Sequence, residues 1–252
     1  MKVLRIHNPF NANVFFEENV TSTMDVSRKL AENGEPHGTV ITADFQENGR
    51  GRINGRNWRM ERAKNLPFTI LLRYPNTENI PQALTLRAGL AVSLAIEDFA
   101  PSLKGKVFVK WPNDIIINNK KTAGILCEAE RGNVHLGIGV NIMQTVFPEN
   151  LKEKATSIFL ETGECEEGNI LLENILMRLY NELEISSNAD WNKKLEKRLY
   201  KINEQVVFAD GAADSGAEIK GRMTGITESG ELLILPEDEN NARSFITGEL
   251  KL

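Results

Sequence analysis

A segment rich in glycine and arginine carries the strongest chemical signal in the sequence. Its informative residues are Gln46, Gly49, Arg50, Gly51, Arg52, Arg56 and Trp58. Glycines let a backbone come close to a ligand, and planar guanidinium groups match the paired oxygens of a phosphate or carboxylate. The glycine spacing fits neither a dinucleotide fingerprint nor a P-loop. The segment is therefore either a loop that binds an anion or an ordinary solvated basic loop.

The second chemical signal is the run Lys110-Trp111-Pro112-Asn113-Asp114. Proline favours an extended conformation in the residue before it, and Pro-Asn-Asp is typical of a turn. Rigid neighbours would thus place the Lys110 ammonium at the end of a strand. The alternative is a hairpin turn without a chemical role.

Three glycines lie inside predicted strands: Gly124, Gly137 and Gly139. Glycine weakens a strand, and it often marks a place where a ligand or another backbone approaches closely. Sheet packing alone is an equally good explanation.

The charge distribution narrows the class of ligand. The 252 residues carry a net charge of −5, yet the stretch from Gly49 to Lys64 carries +5, which leaves −10 on the remainder. Generic nucleic-acid binding needs a broad positive surface. One cationic segment in an acidic molecule instead favours a single anionic ligand and argues against DNA as a partner.

Composition excludes other classes. No run of apolar residues is longer than four, whereas a membrane helix needs about 20, so we expect a cytoplasmic protein without a membrane partner. Two cysteines, Cys127 and Cys165, are too few for a disulfide framework. The three histidines are scattered without ligand spacing, so no metal site is expected.

Hydrophobic periodicity and turn signals predict the elements that position these residues. Helices are expected at 22–33, 81–98, 168–185 and 190–201, and strands at 39–43, 67–73, 107–111, 115–117, 123–130 and 135–140. Closely spaced turns after residue 201 predict four short strands in a small β-barrel. The prediction is an α/β fold of the α+β type: a mixed, largely antiparallel sheet flanked by helices (1–201), followed by the barrel (202–252).

Taken together, several segments resemble the biotin protein ligases in order and spacing: Thr21–Met24, Gln46 with Gly49–Arg52 and Arg56–Trp58, Lys110–Asp114, Lys121–Leu126 and Gly137–Asn141. The resemblance covers the chain from about residue 18. It implies an enzyme that uses ATP, with Mg²⁺, to activate biotin as biotinyl-5′-AMP. The biotin then passes to a lysine of a biotin carboxyl carrier protein, expected to belong to acetyl-CoA carboxylase. Homodimers are common in the family, and the sequence leaves this open.

The resemblance also implies roles for individual residues. The catalytic residues would be Arg52 and Lys110. Biotin would be bound by Ser22, Thr23, Met24, Gln46, Gly49, Arg50, Gly51, Arg52, Lys110, Gly124 and Gly139. ATP would be bound by Arg50, Arg52, Arg56, Trp58, Lys110, Asn113 and Asn141. Asp114 is a candidate to help the acceptor lysine lose its proton.

The sequence departs from the family pattern in three places. Met24 stands where the family more often has asparagine, so only backbone or van der Waals contact is expected there. The stretch between Arg52 and Trp58 is one residue longer than usual. Only 21 residues precede Ser22, too few for the DNA-binding domain of about 60 residues that some members carry, so a repressor is not expected.

Two other functions remain open. A lipoate or octanoate ligase or transferase of the same superfamily would share the catalytic fold. A module that binds an anionic ligand without chemistry would use the basic loop and the small barrel, and it would bind without turning over ATP.

Overall fold

The computed structural model describes residues 1–53, 55, 57–164, 167–185, 190–211 and 217–251. The described part of the chain forms a large mixed sheet, helices on both of its faces, and a separate C-terminal sheet. The strands of the large sheet are β1 (Lys2–Val3), β2 (Val14–Val20), β3 (Thr39–Gln46), β4 (Asn65–Arg73), β5 (Val107–Lys110), β6 (Asp114–Ile117), β7 (Lys120–Glu130) and β8 (Asn133–Asn141). Their order is β1-β2-β3-β4-β8-β7-β6-β5. β2 and β3 are parallel, and the other neighbours are antiparallel.

The helices cover the two faces of this sheet. They are α1 (Thr23–Glu32), α2 (Leu84–Phe99), α3 (Ile158–Thr162), α4 (Gly168–Tyr180, continued by a π-helical turn at Asn181–Ile185) and α5 (Trp191–Glu196). Successive strand residues point to opposite faces. Accordingly, Val40 belongs to the main core with α2 and α4, whereas its neighbour Ile41 packs with Leu30 of α1. The sheet is therefore the middle layer of the molecule.

The C-terminal unit is a five-stranded antiparallel sheet. Its strands are β9 (Gln205–Asp210), β10 (Glu218–Ile226), β11 (Leu232–Pro236), β12 (Arg243–Phe245) and β13 (Gly248–Leu250), in the order β12-β11-β10-β9-β13. The Trp111 indole N–H donates to the carbonyl of Gly230 at 3.1 Å, and the Trp111 ring lies 6.0 Å from that of Phe208. These contacts join the Lys110–Asp114 segment to the C-terminal sheet.

The predicted fold class is confirmed, including the consecutive hairpins from β5 to β8 and the all-β C-terminal unit. The boundary at residue 201 stays a prediction. β1, β2, α3 and β13 lie where the sequence pattern predicted no element. In the described part of the chain, no helix is both long and apolar enough to cross a membrane.

Two predicted helices have different limits in the structure. The second begins at Leu84 rather than at Pro81, because Ala83 adopts a left-handed conformation with φ of 51°, which an α-helix does not accommodate. The last ends at Glu196 rather than at residue 201. Beyond it, Val109 donates to Arg198 O and Tyr200 donates to Val109 O. Pairing with the edge strand β5 thus replaces the helical turns that the periodicity favoured.

Candidate active site

Two glycines face each other near the open end of the hairpin formed by β7 and β8, away from its turn. Gly124 pairs directly with Gly139, and Gly137 lies on the same face two residues earlier in β8. The indole of Trp58 occupies the space above them. A Cβ atom would lie 2.7 Å from Trp58 Cε2 if placed on Gly139, and 3.1 Å from Trp58 Cζ3 if placed on Gly124. These glycines therefore let an aromatic ring rest on the sheet.

A β-bulge brings Lys121 to the same face. Ile115 pairs with Ala123 but Ile116 pairs with Lys121, so one residue of β7 is left over at Thr122. An extra residue reverses the alternation of side chains beyond it. Lys121 therefore shares the face of Gly124. Its Nζ lies 2.6 Å from Asp114 Oδ1 and 5.7 Å from the centre of the Trp58 ring.

The described residues of the glycine and arginine segment, 49–53, 55, 57 and 58, form a cover over this face. Arg50 forms a β-bridge with Asn57, and the Trp58 N–H donates to Gly49 O at 2.8 Å. A cavity of about 60 Å³ remains beneath the cover. Pockets that hold small organic ligands are usually about 300–1,000 Å³. The loop and the Trp58 ring must therefore move to admit a ligand of nucleotide size.

The N-terminal end of α1 supplies the polar wall of the cavity. Gln46 Oε1 accepts from both the backbone N–H and the hydroxyl of Thr23, at 2.8 and 2.9 Å. Thr69 donates its hydroxyl proton to Thr23 Oγ1 at 2.9 Å. Ser22 is the N-cap residue, and its Oγ accepts from Met24 N. These buried side chains hold one another in place, so the wall has a defined set of hydrogen-bonding groups.

Met24 forms the apolar part of the same wall. It is buried, and its Sδ would lie 2.7 Å from a Cβ atom on Gly137. The thioether thus occupies the room that this glycine leaves. The van der Waals contact expected between Met24 and a bound ligand stays a prediction.

Two arginines of the cover are bound to distant parts of the molecule. Arg50 Nη2 lies 2.5 Å from Asp25 Oδ1 at the start of α1. Arg52 Nη2 donates to the carbonyl of Gly248 in β13 at 2.8 Å. Both arginines line the cavity. The cover is therefore fastened on one side to α1 and on the other to the C-terminal sheet, with two guanidinium groups at the cavity.

Lys110 lies behind this cavity rather than in its lining. Its side chain is 3% exposed, and Nζ is 4.0 Å from Asp114 Oδ2. Burial is the largest influence on Lys110 and lowers its pKa, which Asp114 and Glu249 oppose. Asp114 thus lies between two lysines, one facing the cavity and one buried.

The two predicted asparagines differ in position. Asn113 lines the cavity and donates from Nδ2 to Ile125 O at 2.8 Å. Asn141 is buried, donates to Thr156 O, and accepts from Asn65 Nδ2. Its side-chain amide thereby holds strands and loops together, and Asn141 is not among the residues that line the cavity.

Most residues predicted from the sequence meet in one place. Those that line the cavity are Ser22, Thr23, Met24, Gln46, Arg50, Gly51, Arg52, Trp58, Asn113, Gly124 and Gly139. Gly49 lies beside it, where a Cβ atom would be 3.0 Å from Trp58 O. Lys110 and Asn141 lie outside the lining, and Arg56 falls outside the described residues. The individual binding and catalytic roles stay predictions.

The sequence analysis assigned no binding role to six residues of the lining: Phe68, Lys121, Ile125, Leu126, Gly137 and Ile138. A two-residue alternation starting from Gly124 would have found Leu126, and the same rule from Gly139 would have found Gly137. It would have placed Lys121 on the wrong face, because the bulge at Thr122 leaves no mark in the sequence pattern. Among the residues that the structure describes, no cluster of three or more His, Cys, Asp or Glu side chains is placed to hold a metal ion.

Gly139→Ala is expected to push the Trp58 indole off the sheet and to destabilise the protein by about 1–3 kcal/mol, the usual cost of overpacking. The ring is rigid and cannot yield as a flexible chain would. Urea unfolding measures the stability. Tryptophan emission, compared with that of Trp58→Phe, reports whether the surroundings of the Trp58 ring change. Gly168→Ala is the control, since a Cβ atom there meets Ile142 at an ordinary 3.4 Å. Emission and stability unchanged in Gly139→Ala would contradict the packing described.

A comparison with protein families identifies the family of this chain. Residues 16–143 match the model of the biotin/lipoate A/B protein ligase family. This match spans just over half of the chain. The chain belongs to this family.

Two relatives are similar to a large part of this chain. It is 38% identical over 173 residues to the bifunctional ligase/repressor BirA of Bacillus spizizenii, a match that covers 65% of this chain and 51% of that protein. The chain thus spans about half the length of that relative. It is 31% identical over 205 residues to a biotin–[acetyl-CoA-carboxylase] ligase of Paracoccus denitrificans, covering 77% of this chain and 82% of that protein.

One solved structure is similar to nearly the whole chain. The biotin protein ligase of Aquifex aeolicus in complex with biotin and ATP superimposes with a TM-score of 0.79 at 30% identity, covering 94% of this chain and 97% of that one. The likeness therefore extends over both the large sheet and the C-terminal sheet of this biotin/lipoate ligase family member.

Proposed function

We propose that this protein is an ATP-dependent biotin ligase: it forms biotinyl-5′-AMP and then transfers biotin to a lysine of a biotin carboxyl carrier protein. The observation that carries the proposal is the meeting of Arg50, Arg52 and Lys121 around one glycine-floored cavity. Family membership and the likeness to a ligase complexed with biotin and ATP support the choice of substrates.

The polar wall suits the ureido ring of biotin. A ureido group has both N–H donors and a carbonyl acceptor, and Ser22, Thr23 and Gln46 provide hydroxyl and amide groups of both kinds. Met24 and the strand glycines would contact the apolar part of the bicyclic ring. The carboxylate of biotin would then extend toward the arginines and Lys121.

The first step joins two anions. The biotin carboxylate attacks the α-phosphorus of ATP, an oxygen–phosphorus bond forms, and pyrophosphate leaves. Cationic groups must offset both the repulsion between the reactants and the charge that grows at phosphorus. Arg50, Arg52 and Lys121 can do this at the cavity, with Lys110 adding positive charge from behind. Mg²⁺ would accompany ATP as part of the substrate complex.

The cover would protect the product of the first step from water. An acyl adenylate reacts readily with water, and closing a loop over it excludes water until the acceptor arrives. Arg50 and Arg52 would exchange their protein partners, Asp25 and Gly248 O, for anionic ligand oxygens. Trp58 would leave the glycines and support the adenine side.

The second step transfers biotin to the acceptor. The neutral amine of a carrier lysine attacks the acyl carbon of the adenylate, an amide forms, and AMP leaves. Asp114, which pairs with Lys121 of the cavity lining, is the candidate to help that lysine lose its proton. The acceptor would be the carrier domain of a carboxylase such as acetyl-CoA carboxylase, in the cytoplasm.

Biotin-dependent exchange of labelled pyrophosphate into ATP tests the proposal. The wild-type protein is expected to exchange label with biotin and not with lipoate or octanoate. Activity with lipoate and silence with biotin would favour the lipoate ligase alternative, and ligand binding without exchange would favour the binding module. Arg52→Ala and Lys110→Ala test the two predicted catalytic residues in the same assay, and unchanged exchange in either would remove that residue from the mechanism.

A further inference from the structure

The turn between β12 and β13 presents an apolar side chain to solvent. Ile246 is 81% exposed, the highest value among the large hydrophobic residues that the structure describes, while Phe245 beside it is 6% exposed. Single exposed apolar residues are common on protein surfaces. The position of Ile246 close to the candidate active site, rather than its exposure alone, points to a role in binding.

Ile246 lies close to the candidate active site. Two residues further along the chain, the Gly248 carbonyl accepts the hydrogen bond from Arg52, and Arg52 lines the cavity. Two residues span at most about 7 Å. Ile246 is therefore on the order of 10 Å from a guanidinium group of the site.

The turn is held firmly by the C-terminal sheet. The rings of Phe245 and Phe208 lie 4.7 Å apart, and the Arg243 guanidinium lies 5.3 Å from the centre of the Phe245 ring. Gly248 has φ of 145°, and a Cβ atom there would lie 2.1 Å from Phe208 Cζ, so close packing fixes the backbone. A rigid turn with an apolar tip and a basic neighbour offers a contact with little loss of conformational entropy on binding.

We propose that Ile246 is a docking contact for the acceptor protein, which must bring one of its lysines to the cavity. This inference rests on the proposed function. Biotin and ATP enter the cavity whole, but a lysine side chain reaches only on the order of 6 Å from its backbone on its four-carbon stem. The surface of the acceptor protein must therefore lie close to the cavity while transfer occurs, and Ile246 is a strongly exposed apolar residue in that region.

Ile246→Asp separates the two half-reactions. Pyrophosphate exchange with biotin is expected to stay within twofold of wild type, because the first step needs no acceptor. The KM for a biotin carboxyl carrier domain is expected to rise about tenfold, which corresponds to about 1.4 kcal/mol of binding. Transfer of biotin to hydroxylamine, a small nucleophile that needs no docking, is expected to be unchanged.

Ile185→Asp is the matched control. Ile185 is 65% exposed. Its neighbour Glu184 pairs with His37, which precedes the start of β3, whereas Gln46 of the cavity lies at the other end of that strand. Ile185 is therefore an exposed isoleucine away from the site. Absence of exchange in the wild type would overturn the proposed function itself. Normal exchange together with an unchanged carrier KM in Ile246→Asp, or an equal rise in KM in Ile185→Asp, would overturn the docking contact while leaving the proposed function standing.

Discussion

Lys121→Ala is expected to slow biotin-dependent pyrophosphate exchange by about 100-fold or more. Lys121 is the ammonium group at the cavity, 2.6 Å from Asp114, whereas Lys110 lies behind the lining. Removing one group that stabilises transition-state charge typically costs about 10²–10³ in rate. The loss should appear mainly in the rate of adenylation. Lys121→Arg keeps the positive charge and is expected to retain part of the activity.

Lys120→Ala is the control for this variant. Lys120 is adjacent in the sequence and half-buried, but it pairs with Ile117 and points to the other face of β7. Its exchange rate is expected to stay within twofold of wild type. Thermal unfolding of both variants separates catalysis from folding, since Lys121 also contacts the Trp58 ring. A Lys121→Ala protein that folds normally and exchanges label at the wild-type rate would exclude Lys121 from the chemistry.

Arg87→Met is expected to destabilise the fold by about 3–5 kcal/mol, the usual cost of leaving a buried charge without its partner. The Arg87 side chain is 1% exposed and that of Glu182 is 9% exposed, and Arg87 Nε lies 3.0 Å from Glu182 Oε1. Arg87 Nη2 also donates to Glu182 O at 2.5 Å. The pair links α2 to the π-helical turn after α4. The free energy of unfolding in urea measures the effect.

Arg178→Met provides the comparison for the buried pair. Arg178 and Asp98 form a close but partly exposed pair between the same two helices, at 2.6 Å, and solvent screening limits such pairs to about 1 kcal/mol or less. The double variant Arg87→Met, Glu182→Met is expected to recover much of the loss, because neither charge is then buried alone. Equal losses in Arg87→Met and Arg178→Met would show that burial does not determine the strength of the first pair.

The sequence by itself determined the local parts of this protein. Ser22 at a helix N-terminus, the turns after β6 and β7, and the long apolar helix α2 follow from interactions between residues close together in the chain. The glycine and arginine segment was recognisable as a basic loop, and its residue types alone made anion binding one of two interpretations. Family membership follows from the same motifs. These features require no knowledge of which distant residues meet.

Tertiary structure alone decided how the parts combine into a site. The bulge at Thr122 turned Lys121 toward the cavity, because one extra residue in β7 reversed the alternation that a sequence reading assumes. Asn141 was drawn into a buried amide network with Asn65, since a buried amide must find partners wherever the fold provides them. Arg52 found its acceptor on Gly248, 196 residues away. Contacts of this kind depend on how strands pair and layers pack, and a pattern with a period of two or 3.6 residues carries no information about them.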